Sequence, residues 1–94
     1  KTIAPKTGSD KTSIMFSIKD RPGALYDILV PIKKAKINLT KIESRPSRRK
    51  AWEYIFFVDM EGHIEDKKVK KAIEGIKDDC LYLKILGSYP HGGR

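Results

Sequence analysis

The 94-residue chain has a single cysteine, Cys80, and only two histidines, His63 and His91. One cysteine cannot form an internal disulfide, and no cysteine–histidine cluster offers a metal site. The expectation is a reducing, cytoplasmic setting with no metal and no cofactor. Long apolar runs are missing too: nothing approaches the roughly 18 residues of a membrane span, and the first residues lack a signal peptide's apolar centre. No membrane partner is expected. Apolar residues make up 39% of the chain and charged ones 34%, which leaves a thin core. A single small domain of this kind commonly gains stability from a partner chain.

What is abundant is positive charge. Twenty Lys and Arg against twelve Asp and Glu give a net charge of +8, which raises the question of a polyanionic partner. Many of the lysines fall in one segment, Lys67, Lys68, Lys70, Lys71 and Lys77, at positions that spare a helix's apolar stripe. That pattern suits a solvated surface better than a nucleic-acid footprint.

The opening KTIAPKTGSDK is polar, with Pro5 and Gly8, and residues 1–11 read as a linker following an absent catalytic domain. TSIMFSIK, from Thr12 to Lys19, alternates Ile14, Phe16 and Ile18 against Ser13, Met15 and Ser17, as a half-buried strand does. DRPG then turns the chain, and Leu25, Ile28, Leu29 and Ile32 recur at helical spacing from about Pro22 to Ala35. Pro31 should kink that helix or split off its last turn. Ile37 to Arg45 reads as a second strand, SRPSRRK as a polar turn, and AWEYIFFVDM as the strongest strand in the chain. Val69, Ala72, Ile73 and Ile76 mark a second helix, with Glu65 and Asp66 placed for its positive end. LYLKILGSY gives a fourth strand with Leu81, Leu83 and Ile85 on one face, and HGGR at 91–94 is a tail.

The order β-α-β-β-α-β over residues 12–90 predicts an α+β, ferredoxin-like sandwich. It is a four-stranded antiparallel sheet with two helices on one face. The other face is left uncovered, and its apolar residues should form an interface, most economically a homodimer. RNA-recognition modules share this topology, so topology alone does not fix function. The third strand has aromatics, but it lacks the glycine and small residue that let a base approach. Glu53 would also repel phosphate, and Phe16 would have to face a base instead of the core. No nucleic-acid partner is expected.

A different site suggests itself at KDRPGALYDIL, where a strand end, a turn and a helix start follow one another. Unpaired N–H groups at a helix start cradle a carboxylate, and Gly23 and Ala24 let a ligand approach the backbone closely. Asp20 either caps the helix or accepts from a ligand's ammonium group. The spacing alone leaves both readings open.

Gly23-Ala24-Leu25 with Leu29, followed by Glu43-Ser44-Arg45-Pro46, resembles the paired GALxxxL and ESRP motifs of the ACT domain. NLTKIESRPSR, WEYIFFVDMEGH and LKILGSYP are similar to the regulatory ACT domain at the C-terminus of prephenate dehydratase, alone or fused to chorismate mutase. The aromatic amino acid hydroxylases carry a related ACT domain and stand as the alternative. The resemblance implies that this chain alone has no catalytic residues and no turnover. It implies L-phenylalanine as effector, bound where two ACT domains meet, for feedback inhibition of a catalytic dehydratase domain in the parent chain. It further implies that Asp20, Arg21, Pro22, Gly23, Ala24 and Leu25 hold the amino acid's polar end. Leu25 and Leu29 would then wall its ring, and Glu43, Ser44, Arg45 and Pro46 would shape the pocket across the interface.

Overall fold

A computed structural model describes residues 2–19, 21–48 and 53–90. Five strands and two helices follow in the order β1 (Thr2–Ile3), β2 (Asp10–Lys19), α1 (Ala24–Lys34), β3 (Leu39–Pro46), β4 (Glu53–Glu61), α2 (Lys67–Lys77) and β5 (Tyr82–Pro90). The sheet order is β1-β5-β2-β4-β3. From β2 onward this is the expected βαββαβ arrangement, with every pairing antiparallel.

Alternation along the strands builds the core. Ile14, Phe16 and Ile18 of β2 and Phe56, Val58 and Met60 of β4 turn to one face, where both helices set their buried stripes. Ala24, Ile28 and Ile32 come from α1, and Val69, Ala72, Ile73 and Ile76 from α2. At its centre the Phe16 and Phe56 rings stack 5.5 Å apart. Burial of a phenylalanine contributes about 1.5–3 kcal/mol. The single thiol, Cys80, is half-buried, donates to the Ile76 carbonyl at 3.2 Å, and is pushed up to about 11 by burial, so it is not a nucleophile.

Several local expectations are corrected. The helix does not break at Pro31 but runs on to Lys34. The donor that proline removes lies in the last turns, where few bonds remain to lose. Its ring fits against Gly75 of α2, where a Cβ would come within 3.0 Å of Pro31 Cβ. After Lys34 the chain closes with Ile37 N–H on Ile32 C=O (3.2 Å) and Lys36 N–H on Lys33 C=O (2.9 Å), Lys36 lying at φ 58°. That double bond is a Schellman closure, and it delays β3 to Leu39. Residues 2–11 are not a free leader. Thr2 and Ile3 pair in parallel with Gly87 and Ser88, adding a fifth strand, and β2 already begins at Asp10.

The face turned away from the helices is also less bare than expected. Met15, Ile55 and Phe57 lie there half-buried beneath polar side chains. The Arg45 guanidinium sits 5.1 Å from the Phe57 ring centre and Lys11 lies 5.5 Å from that of Tyr89. The Ser13 hydroxyl bonds Asp59 (2.5 Å) and Tyr89 (2.7 Å), and buried Glu53 accepts from Ser17. Among the described residues, the large apolar side chains that remain exposed are Ile3, Tyr26, Ile42, Tyr54, Leu81 and Leu86. They lie mostly at the ends and edges of the sheet. Trp52, which the strand pattern placed beside Tyr54, lies outside the described residues.

Candidate functional site

Arg21 to Ala24 form a tight turn, closed by Ala24 N–H on the Arg21 carbonyl at 3.1 Å. Pro22 pre-sets the second residue, and Gly23 takes φ 78°, ψ 0°, the left-handed third position of a type II turn. The first intrahelical bond is Asp27 N–H to Gly23 C=O (3.0 Å), and among the described residues no side chain caps the helix. The N–H groups of Leu25 and Tyr26 therefore point out of the helix start without an intrahelical acceptor. Here the helix dipole is positive.

That helix start opens into a cleft of about 510 Å3 lined by Ile18, Lys19, Arg21, Gly23, Ala24, Leu25, Tyr26, Ser44, Tyr54 and Phe56. Its floor is the core itself at Ile18 and Phe56, which are almost fully buried. Lys19 and Arg21 add positive charge at one end, and Arg21 is steadied by Asp27 at 3.2 Å. Both rim and floor thus suit a small zwitterion with an apolar or aromatic body. The carboxylate would meet N–H groups and cations, and the body would meet Phe56, Tyr54 and Leu25.

The two segments singled out in the sequence meet here in part. Arg21, Gly23, Ala24 and Leu25 share the cleft with Ser44, which stands opposite Phe56 across the β3–β4 pairing. Pro22 shapes the turn from outside. Glu43 and Arg45 stand opposite Phe57 and Ile55, on the sheet's other face. There Glu43 meets Lys41 at 3.8 Å while Arg45 covers the Phe57 ring. Pro46 ends the strand opposite Tyr54. Leu29 lies one turn further along α1 and lines a separate groove with Ile37 and Leu39. Asp20 lies outside the described residues. Sequence reasoning missed Ile18, Lys19, Tyr26, Tyr54 and Phe56 as wall and floor. The alternation of β4 carried the last two, but only the register with Ser44 shows which face holds the cleft.

β3 bears on what can complete this cleft. Among the described residues it pairs only with β4, and every residue from Thr40 to Pro46 is exposed. Three of the exposed apolar side chains, Tyr26, Ile42 and Tyr54, lie on this strand or around the cleft.

The family model for the ACT domain matches residues 12–78. The chain belongs to the ACT domain family. A bifunctional chorismate mutase/prephenate dehydratase from Aquifex aeolicus (strain VF5) is 62% identical over 84 residues, covering 89% of this chain and 23% of that protein. The solved prephenate dehydratase from Arthrobacter aurescens, in complex with L-Phe, superposes on this ACT domain with a TM-score of 0.89. It is 35% identical and is matched over 97% of this chain and 30% of its own. GqqA, described as a novel type of quorum quenching acylase, superposes at 0.90 with 29% identity, over 96% of this chain and 46% of its own. The chain thus spans about a quarter of the length of the curated relatives it matches. It is an ACT domain similar to the matched part of prephenate dehydratases, and most of the length of those relatives lies outside the match. Among the described residues no helix is long and apolar enough to cross a membrane.

Proposed function

We propose that this ACT domain binds L-phenylalanine in the cleft at the start of α1, and that a second copy, docking along β3, closes the cleft over the ligand. One observation carries the reading: the helix-start N–H groups of Leu25 and Tyr26 and the Ser44 side chain converge on a cleft floored by Phe56. The solved relative holding L-Phe supports it. Arg21 and the helix start take the carboxylate, and Leu25, Tyr54 and Phe56 take the ring. Pro22 holds the turn. Glu43, Arg45, Leu29 and Pro46 serve the pocket indirectly, by setting the edge that a second copy would meet. In the parent protein, bound phenylalanine would favour one arrangement of paired ACT domains and so hold a preceding dehydratase domain in a less active state. An effector works only through such differential affinity, with coupling of about 1–3 kcal/mol.

The RNA alternative loses its platform, because Phe16 is fully buried against Phe56 and cannot stack a base.

Thermal unfolding with L-phenylalanine, D-phenylalanine and a short single-stranded RNA tests the reading. At ~100 times its dissociation constant, L-phenylalanine should stabilise the chain by about 2.7 kcal/mol. A shift with RNA and none with millimolar L-phenylalanine would overturn it. Sedimentation should show association that strengthens with L-phenylalanine. A monomer under both conditions removes the second copy from the mechanism.

A further inference from the structure

Between α2 and β5 lies a groove of about 550 Å3 that the phenylalanine reading does not use. One wall is a stripe of α2 itself. Lys70, Ile73, Glu74 and Lys77 recur at the three- and four-residue spacing that lines one side of a helix for two turns. Gly75, on the other side of that helix, meets Pro31 of α1. The floor is Leu83 and Ile85, which stand opposite Phe16 and Ile14 in the β2–β5 pairing and so turn to the helix-bearing face. Both pack against the core yet stay half-buried, as does Ile64 beside them. Two helices, each about 10 Å across, cover roughly four strands spaced about 4.8 Å apart. This sheet has five. The helical layer therefore runs out over β5, and the groove has the place and direction of a third helix.

The rim of the groove is basic. Lys70, Lys77 and Lys84 are exposed around it, against one carboxylate, Glu74, which Lys77 already meets at 3.9 Å. Among the described residues no carboxylate pairs with Lys70 or Lys84. Such a rim attracts carboxylates and rejects cations. A second copy of this chain offers no acidic helix to match it. The exposed side of α2 carries Lys67, Lys68, Lys70 and Lys71, and α1 ends on Lys33 and Lys34. Docking of either helix here would set lysine against lysine.

We propose that this groove docks an acidic amphipathic helix of a partner segment. Apolar residues three and four apart on that helix would lie on Ile73, Leu83 and Ile85, and its carboxylates would reach Lys70, Lys77 and Lys84. This is helix-in-groove recognition: the apolar stripe supplies the contact area, and the lysines select the partner by charge. The inference is independent of what the cleft binds, since the cleft lies at the start of α1 towards the β3 edge.

Nuclear magnetic resonance of the nitrogen-15-labelled 94-residue chain tests this with a defined probe, the acetylated and amidated peptide EELLAELEELLAELE. At millimolar peptide the amides of Ile73, Leu83 and Ile85 should shift, while those of Gly23, Ala24 and Ser44 at the cleft stay in place. The same peptide with lysine at every glutamate keeps the apolar stripe and should not bind. The double variant Lys70→Glu/Lys84→Glu should bind the acidic peptide about tenfold or more weakly, while Ile14 and Val58 keep their shifts as markers of the fold. No shift with the acidic peptide would overturn the proposal. So would equal shifts with the lysine peptide, or undiminished binding by the double variant. Stronger shifts of the same amides with the alternating peptide ELELELE would make the occupant an extended strand. Groove amides that move on dilution of the chain alone would make it a second copy. Either result overturns the helix.

Discussion

The two edges of the sheet are built in opposite ways. On the β5 edge the chain covers itself. Thr2 and Ile3 pair with Gly87 and Ser88, and a buried relay runs from Ile64 N–H through the Ser88 and Thr12 hydroxyls to the Gly62 carbonyl. On the β3 edge none of the described residues pairs alongside, and Ile42 is left 45% exposed beside the cleft. Unpaired sheet edges invite another chain. The open edge lies beside the cleft, and it is the edge that the proposed second copy would use. The contrast also separates cost from function. Changes at the closed edge should register in stability, whereas changes at the open edge should register in association and binding.

The largest expected effect lies where the two regions share material. Phe56 is both cleft floor and core, so Phe56→Ala should lower unfolding stability by about 3–5 kcal/mol. If chemical denaturation shows under 1 kcal/mol, the cleft floor is not part of the core and the two functions separate.

At the closed edge, Ser88→Ala breaks the relay in the middle. Thr12 keeps its bond to Gly62, but the Ile64 N–H loses its acceptor in a buried place. The cost should be about 1–3 kcal/mol by urea unfolding. A neutral result would mean that water replaces the hydroxyl and that the closed edge is looser than its hydrogen bonds suggest.

Element order and the helix-facing residues were legible in the sequence, because alternation at Ile14, Phe16 and Ile18 and the stripe at Val69, Ala72, Ile73 and Ile76 report burial directly. The two segments that build the cleft were legible as motifs. Which of their residues point into it was not, since a strand gives its face only through register. Ser44 lines the cleft while Glu43 and Arg45 do not, for that reason alone. The ordering of residues 2–8 was invisible for another reason. A polar stretch such as APKTGSD has no periodicity, and its order comes from single bonds to distant residues, with His63 59 positions from Ala4 and Asp66 beside Lys6.

Acid adds a test of the closed edge. The hydrogen bond from Lys6 and then that from the His63 N–H hold the Asp66 carboxyl below its ordinary value. A carboxylate lowered on folding contributes stability that is present above its unfolded value, about 3.9, and is lost as pH falls through its folded one. Asp66→Asn should therefore flatten the stability-against-pH curve below about pH 4. Equal curves for the two chains would mean that Lys6 and Asp66 are not paired in solution.

A smaller and opposite change is expected at the approach to the open edge. Lys36 holds a left-handed conformation at the end of α1, a place where glycine carries no side-chain penalty. Lys36→Gly should raise stability by about 0.5 kcal/mol, the relief of strain slightly exceeding the added freedom of the unfolded chain.

The least effect on folding belongs to the open edge, and it carries the most weight for the comparison. Ile42 is exposed on a strand with one free side, so Ile42→Thr keeps the branched shape that a strand favours and removes only surface already in water. Unfolding stability at low protein concentration should shift by no more than about 0.5 kcal/mol. In sedimentation, the same variant should associate more weakly than the parent chain with L-phenylalanine present, because the apolar contact offered to a second copy is gone. A loss of folding stability without a change in association would reverse the assignment: β3 would then be a structural strand of a self-sufficient monomer, and the cleft beside it would have to close without a partner.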